Sequence, residues 1–348
     1  MTFIDTFRSP DFAAYQAALA RQATLTKPAG SLGRLEELAC RFAAWQGKVC
    51  PDALRPAITV FAGDHGVTAE GVSAYPSVVT GEMVRNFANG GAAICVLAQS
   101  LDARLEVVDA GVLSDVSALP IVHAKVRAGT GNLAREAAMT PAQAEAALEV
   151  GRQAAHRALA GGANLLIAGD MGIGNTTASA ALICRLAGLS PERIVGRGTG
   201  LNEAGLETKR QVVRAALARV VVGRELSALE TLAELGGLEI AAMAGFYLES
   251  AAQGAPALVD GFIASAAALC AQALEPRVGD WLLASHRSEE TGHLLALHAL
   301  KLEPVLDLGM HLGEGSGAAL CVPLLQMAIR LHNEMATFAE AGITGKAE

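Results

Sequence analysis

The stretch NLLIAGDMGIGNTTASAAL, residues 164–182, decides how this chain is read. Leu165 to Ala168 form a short continuous apolar run, as expected of a strand buried on both faces. Asp170-Met171-Gly172 closes the run, and Asn175-Thr176-Thr177 opens an alanine-rich helix. Parallel strands need long crossovers, so a strand that passes through a glycine turn into a helix is a unit of a parallel sheet. Gly172 and Gly174 allow close approach to the backbone. Asn175, Thr176 and Thr177 add capping groups and free N–H donors at the positive end of the helix. The turn is a candidate cradle for a phosphate. It does not have the GxxxxGK[ST] spacing of a Walker A loop.

The pattern repeats outward from this stretch. AITVFAGDHG (57–66), LEVVDAGV (105–112), ALVDGF (257–262) and PVLDLGM (304–310) are short apolar runs that reach Asp and Gly near their ends. Between them lie helical patterns. In the helix over 140–162, Thr140 and Gln143 form a capping box, Pro141 takes the first position, and Gly161-Gly162 stop it. Residues 237–254 and 261–274 read as further helices. The expected fold is α/β, a doubly wound, mostly parallel sheet flanked by helices. Residues 1–50 and 319–348 are helical without strands and are expected to pair as a smaller lobe beside the α/β domain of 51–318. Ligands of open α/β sheets bind beyond the carboxyl ends of the strands. Asp64, Asp109, Asp170, Asp260 and Asp307 all stand at such ends, which points to one ligand-facing rim.

Composition narrows the function classes. The 348 residues are 52% hydrophobic and 18% charged, with net charge −8 and scattered basic residues, so no nucleic-acid footprint is present. No run reaches the roughly 18–20 apolar residues of a spanning helix. The start, MTFIDTFRSPDF, has neither a basic n-region nor an apolar h-region, and a cytoplasmic location is expected. The six cysteines form no CxxC pair and read as buried reduced thiols; the eight histidines form no HExxH pair. No metal or other cofactor is called for.

Three further stretches carry chemistry. In LGEGSGAAL (312–320), Glu314 stands alone among Gly313, Gly315 and Gly317. A Glu is almost never buried without a partner, so it marks either a solvent-facing turn or a site that uses an acid or base. Gly313, Gly315 and Ala318 also match GxGxxG/A, but the residues that follow are helical and supply no strand with an acidic end, which argues against a dinucleotide site. VGRGTGLNEAGLETKRQVV (195–213) adds a second glycine loop before Lys209, which either faces solvent or reaches an anionic ligand. His65 in GDHG reads as a hydrogen-bonded strand-end histidine. Gly90-Gly91-Ala92-Ala93 reads as close packing, and Pro76 fixes the loop before a helix over 80–99.

Taken in order, TKPAGSLGRLE (26–36), GDHGV (63–67), GGAAICVLA (90–98), GIGNTT (172–177), LVDGF (258–262), SHRSEETG (285–292) and LGEGSGAAL resemble the nicotinate-nucleotide:5,6-dimethylbenzimidazole phosphoribosyltransferase family. The resemblance runs from about Thr26 to about Gln326. It implies a homodimer with sites near the subunit interface, and nicotinate mononucleotide and 5,6-dimethylbenzimidazole as substrates. It implies that Glu314 is the base. Gly172, Gly174, Asn175, Thr176, Thr177, Lys209, Ser288 and Gly313 would hold the mononucleotide and its phosphate, and Asp260 its sugar side. Tyr75, Pro76 and Met83 would line the benzimidazole pocket. The resemblance makes Asp170 a second catalytic candidate, but many members have Glu there, and the shorter side chain puts its role in positioning or as a secondary proton acceptor in doubt. A non-catalytic, nucleotide-binding or regulatory relative is the alternative.

Overall fold

The computed structural model describes residues 7–221 and 225–344. Helices α1 (Phe12–Thr24) and α2 (Arg34–Gln46) precede strand β1 (Pro56–Gly63). Helices α3 (Val78–Ala88) and α4 (Ala93–Ser100) lead to β2 (Arg104–Gly111) and β3 (Val122–His123). The long α5 (Pro141–Ala160) leads to β4 (Leu165–Met171). Helices α6 (Asn175–Ala187), α7 (Pro191–Ile194), α8 (Glu203–Val221), α9 (Ala228–Leu235) and α10 (Leu238–Ala252) then precede β5 (Ala257–Val259). After α11 (Phe262–Leu274) come β6 (Leu282–Ala284), β7 (His286–Ser288), α12 (His293–Leu300), β8 (Leu306–Met310), α13 (Ser316–Glu334) and α14 (Phe338–Ala341).

Six strands form the main sheet in the order β3-β2-β1-β4-β5-β6, every neighbouring pair parallel. The chain winds outward from β1 and then, in the other direction, from β4. The switch point between β1 and β4 is where such folds open a crevice. All eight residues of β1 are buried, so helices cover both faces of the sheet there, as its unbroken apolar run requires. Gly151 of α5 and Gly245 of α10 let these helices meet backbone to backbone. A Cβ on Gly151 would lie 1.7 Å from the Ala242 carbonyl oxygen, and one on Gly245 1.9 Å from that of Leu148. Helix α5 starts at the expected capping box of Thr140 and Gln143.

Two expectations are corrected. The run PVLDLGM does not join the main sheet; β8 pairs with β7 in a separate two-stranded ribbon. The edge beside β5 is taken by β6, a three-residue strand too short to stand out in sequence. Most of β8 is therefore exposed, and Asp307 pairs with Arg287 at 3.1 Å outside the rim. The helix expected over 80–99 is two helices, because Gly90 takes φ +76 and breaks it. The break gives α4 its own amino terminus, which the site uses.

The chain's first and last helices meet. Helix α1 packs on α2, and α2 on α13. Arg21 donates to the carbonyls of His332 and Asn333, and Leu25 bridges Thr337 in antiparallel fashion. Leu38, Phe42 and Trp45 of α2 are continuous with the sheet's own core. Four of the six thiols are buried; Cys50 is exposed and Cys95 half-buried. Among the described residues no helix is long and apolar enough to cross a membrane.

Candidate active site

A cleft of about 630 Å³ opens beyond the carboxyl ends of β4, β5 and β7. Its walls come from the β4–α6 turn, residues 261–263, His286 and Ser288, the turn at 198–200, Val79 and Met83 of α3, and residues 311–314. Two glycine turns face each other across it.

The first turn joins β4 to α6. Gly174 caps α6 with φ +96, a left-handed conformation that a side chain would strain. Gly172, Asn175 and Thr176 line the cleft. Lys209 comes in from α8, fully buried, and its Nζ donates to Thr176 Oγ1 at 2.7 Å. Gly198 closes over this contact; a Cβ there would lie 2.9 Å from both Lys209 Nζ and Thr176 Oγ1. Burial pulls the ammonium down to about 8, against the opposite pull of Glu290. A buried cation beside the positive end of a helix is electrostatically incomplete without an anion.

The second turn precedes α13. Gly313, Glu314 and Gly315 are left-handed in succession, with φ of 89, 63 and 85. For Glu314 this conformation costs about 1–3 kcal/mol, so the surroundings must enforce it. They do. Asp260 accepts from the Gly315 N–H at 3.2 Å and the Ala318 N–H at 2.8 Å, and Ser316 Oγ donates to the Gly313 carbonyl at 2.7 Å. Gly169 of β4 lets the turn lie on the strand; a Cβ there would be 2.2 Å from the Glu314 carbonyl oxygen. The Glu314 side chain, 5% exposed, accepts the Ile94 N–H at 3.2 Å through Oε2, at the amino terminus of α4. Burial raises its carboxyl above the ordinary range and the Ile94 N–H partly offsets this.

Two more carboxyls stand nearby. Asp170 is pushed up to about 8, by burial first and then by the charge of Asp260, while the 2.8 Å hydrogen bond from Asn175 pulls it back. Asp260 is pushed up to about 7 by burial, opposed by the N–H groups of Ala318, Gly315 and Gly317. Burial raises both Asp170 and Glu314, and each has a donor that favours its anion, the Asn175 amide and the Ile94 N–H respectively.

The sequence-expected residues divide accordingly. Glu314, Asp170, Gly172, Asn175, Thr176, Ser288, Gly313, Tyr75 and Met83 line the cleft. Lys209 reaches it through Thr176. The Asp260 carboxylate is occupied by the α13 turn rather than turned to the cleft. The Thr177 side chain is fully buried, with no hydrogen-bond partner for Oγ1 among the described residues, and its N–H donates to the Gly174 carbonyl. Gly174 shapes the turn from behind, and Pro76 is exposed outside the lining. Asp64 and Asp109 hold the loops after β1 and β2 instead: Asp64 accepts from the Leu113 N–H and Asp109 from the Val112 N–H, each at 2.8 Å. Sequence reasoning missed His286, Glu290, Phe262 and the turn at 198–200 as cleft walls. The glycines of RGTG were a usable signal, and the other three lie in the SHRSEETG and LVDGF motifs. It also missed Glu239, which meets His65 at 2.6 Å.

The doubly wound parallel sheet, with a cleft lined by glycine turns and buried carboxyls beyond its strand ends, is the fold of an α/β enzyme. A family model described as phosphoribosyltransferase matches residues 7–343. The chain is 73% identical over 336 residues to the nicotinate-nucleotide–dimethylbenzimidazole phosphoribosyltransferase of Chromobacterium violaceum, covering 97% of each. It is 53% identical over 345 residues to the enzyme of that name from Pseudomonas fluorescens (strain Pf-5), covering 99% of this chain and 98% of the relative. A crystal structure of the Thermus thermophilus enzyme of the same name superposes with TM-score 0.92 at 51% identity, over 97% of this chain and 100% of that one. This chain belongs to the nicotinate-nucleotide–dimethylbenzimidazole phosphoribosyltransferase family.

Proposed function

We propose that the protein transfers the phosphoribosyl group of nicotinate mononucleotide to 5,6-dimethylbenzimidazole, giving α-ribazole 5'-phosphate and nicotinate. The observation that carries this reading is the pairing of an anion seat, Lys209 with Thr176 at the α6 terminus, with a buried carboxylate on an enforced turn across the same cleft. The mononucleotide's phosphate sits at the α6 terminus, where Lys209 and the turn N–H groups meet its charge. Asn175, Ser288 and Gly313 line its path, and Asp260 acts through the α13 turn. The base lies toward Tyr75 and Met83.

Nicotinate departs from C1 as its pyridinium ring becomes neutral, so the leaving group needs little acid. One nitrogen of the benzimidazole forms the new bond to C1 as the C1–nicotinate bond breaks. Attack on the opposite face inverts C1. The other nitrogen must lose its proton, and Glu314 takes it. Asp170, bound to the Asn175 amide, positions the first turn rather than accepting a proton. The enzyme works as a homodimer in the cytoplasm and needs no cofactor. Nicotinate release measured with and without dimethylbenzimidazole tests the reading. Release that depends on the base supports it; nucleotide binding without any release identifies a non-catalytic relative.

A further inference from the structure

Beneath the nucleotide turn, on the side away from the cleft, lies an ion pair with no part in the transfer as described. His65 stands two residues beyond the end of β1, and Glu239 is in the first turn of α10. Their side chains are completely buried, with His65 Nε2 2.6 Å from Glu239 Oε1. Burial alone would lower the imidazole's pKa, but the Glu239 carboxylate, with Asp64 beyond it, raises it above the ordinary histidine range.

Three glycines are shaped around this pair. A Cβ on Gly63 would lie 2.7 Å from Glu239 Oε2, and one on Gly237 2.4 Å from His65 Cε1. The third is Gly172 of the nucleotide turn itself. A Cβ there would meet the Gly63 carbonyl oxygen at 2.4 Å, Glu239 Oε1 at 3.3 Å and His65 Nε2 at 3.4 Å. Gly174 rests on the same support, its Cβ position 3.2 Å from His65 Cβ and 2.9 Å from Thr68 Cγ2. Gly172 thus has the cleft on one side and the ion pair on the other. A buried ion pair is a weak device for stability, since desolvation offsets much of the attraction, but its directional hydrogen bond fixes position.

We propose that His65 and Glu239 are positioning residues of the transfer reaction: their ion pair is the floor on which the Gly172–Gly174 turn is seated, and it sets the turn's fit to the mononucleotide. The floor joins the end of β1 to the start of α10 across the switch point. The turn resting on it is therefore registered against β1 and α10 as well as against its own strand and helix. The benzimidazole side of the cleft is one step removed: Thr68, whose Oγ1 donates to the His65 carbonyl, has the Ser77 hydroxyl at 3.0 Å.

The inference rests on the proposed function, and calorimetric binding of nicotinate mononucleotide and of 5,6-dimethylbenzimidazole separates the two. If the wild-type protein binds no mononucleotide, the functional reading fails and the inference falls with it. With binding established, His65→Gln and Glu239→Gln, which keep size and lose the charged hydrogen bond, are expected to weaken the mononucleotide about tenfold. The free base should stay within about twofold, and KM in the transfer assay should follow the same split. Glu239→Asp withdraws the carboxylate by one methylene and is read by the same criterion if the Gln variants do not fold. A lower melting temperature with both affinities unchanged, or equal loss of both ligands, overturns the proposal.

Discussion

The β4–α6 turn and the turn before α13 share one backbone plan: a glycine in the left-handed region caps a helix that starts beyond a strand end. Gly174 and Gly315 play this part, with φ of 96 and 85. Their chemistry is opposite. The first turn presents Asn175, Thr176 and the buried ammonium of Lys209. The second carries a carboxylate on the residue before its capping glycine and hands its own N–H groups to Asp260. A helix amino terminus favours an anion. At α6 the proposed anion is the substrate's phosphate; at α13 it is an internal carboxylate. Supplying that anion from within frees the second turn to hold a base, itself seated at a third amino terminus, that of α4.

The sharpest way to break this comparison is to remove the base alone. Glu314→Gln keeps the shape and should lower kcat by roughly 10²- to 10⁴-fold, with both substrates still bound. Wild-type kcat should rise with pH as Glu314 ionises through its raised pKa, because only the anion accepts the proton. The variant should lack that limb. Its residual rate should increase at higher pH if ionised benzimidazole attacks unaided. Turnover like wild type at saturating substrate would remove Glu314 from the mechanism.

Displacing the second turn without touching its carboxylate comes next. Gly169→Ala would bring a Cβ within 2.2 Å of the Glu314 carbonyl oxygen, so the turn must move. A shift of about 1 Å in a catalytic group costs on the order of 10²-fold, and kcat should bear it more than the mononucleotide KM. Equal loss in both parameters would show that the two turns do not have separate duties.

The first turn is probed by Thr176→Val with Lys209→Ala. Each lost hydrogen bond is worth about 1–3 kcal/mol, so losing two should weaken mononucleotide binding by at least about 30-fold while the free base binds as before. In the wild-type protein, mononucleotide affinity should fall as pH rises through the Lys209 pKa of about 8, because the ammonium is lost there. Loss of both ligands together would indicate damage to the fold. The smallest effect is expected from Asp170→Asn, whose amide replaces a carboxyl that burial pushes up to about 8. Most turnover should survive, and Asp170→Glu should be tolerated. Collapse to the level of Glu314→Gln with binding intact would make Asp170 a proton acceptor in its own right.

Much of the fold was legible because each cue was local. The apolar runs of β1, β2, β4 and β5, the capping box of α5 and the glycines of both turns can be read one segment at a time. The lone carboxylate of LGEGSG stood out because Glu among glycines fits no packing rule. The misreadings had one cause. Whether PVLDLGM joins the main sheet depends on whether β6 already fills the edge, and whether 80–99 is one helix depends on what its midpoint must reach. Neither condition is written in the segment concerned.

The sequence by itself determined the α/β class, the two glycine turns and the residue types that could do chemistry, because periodicity, capping and backbone freedom are properties of a few neighbouring residues. Only the tertiary structure decided which way each ionisable group faces. Lys209 had even claims to solvent and to the site until α8 turned it onto Thr176. Asp260 accepts N–H groups of the α13 turn, and Asp307 left the rim for Arg287. His65 found its partner 174 positions away in Glu239. The protonation state of a carboxyl follows from burial and from charges brought near it through space, and the order of residues along the chain specifies neither.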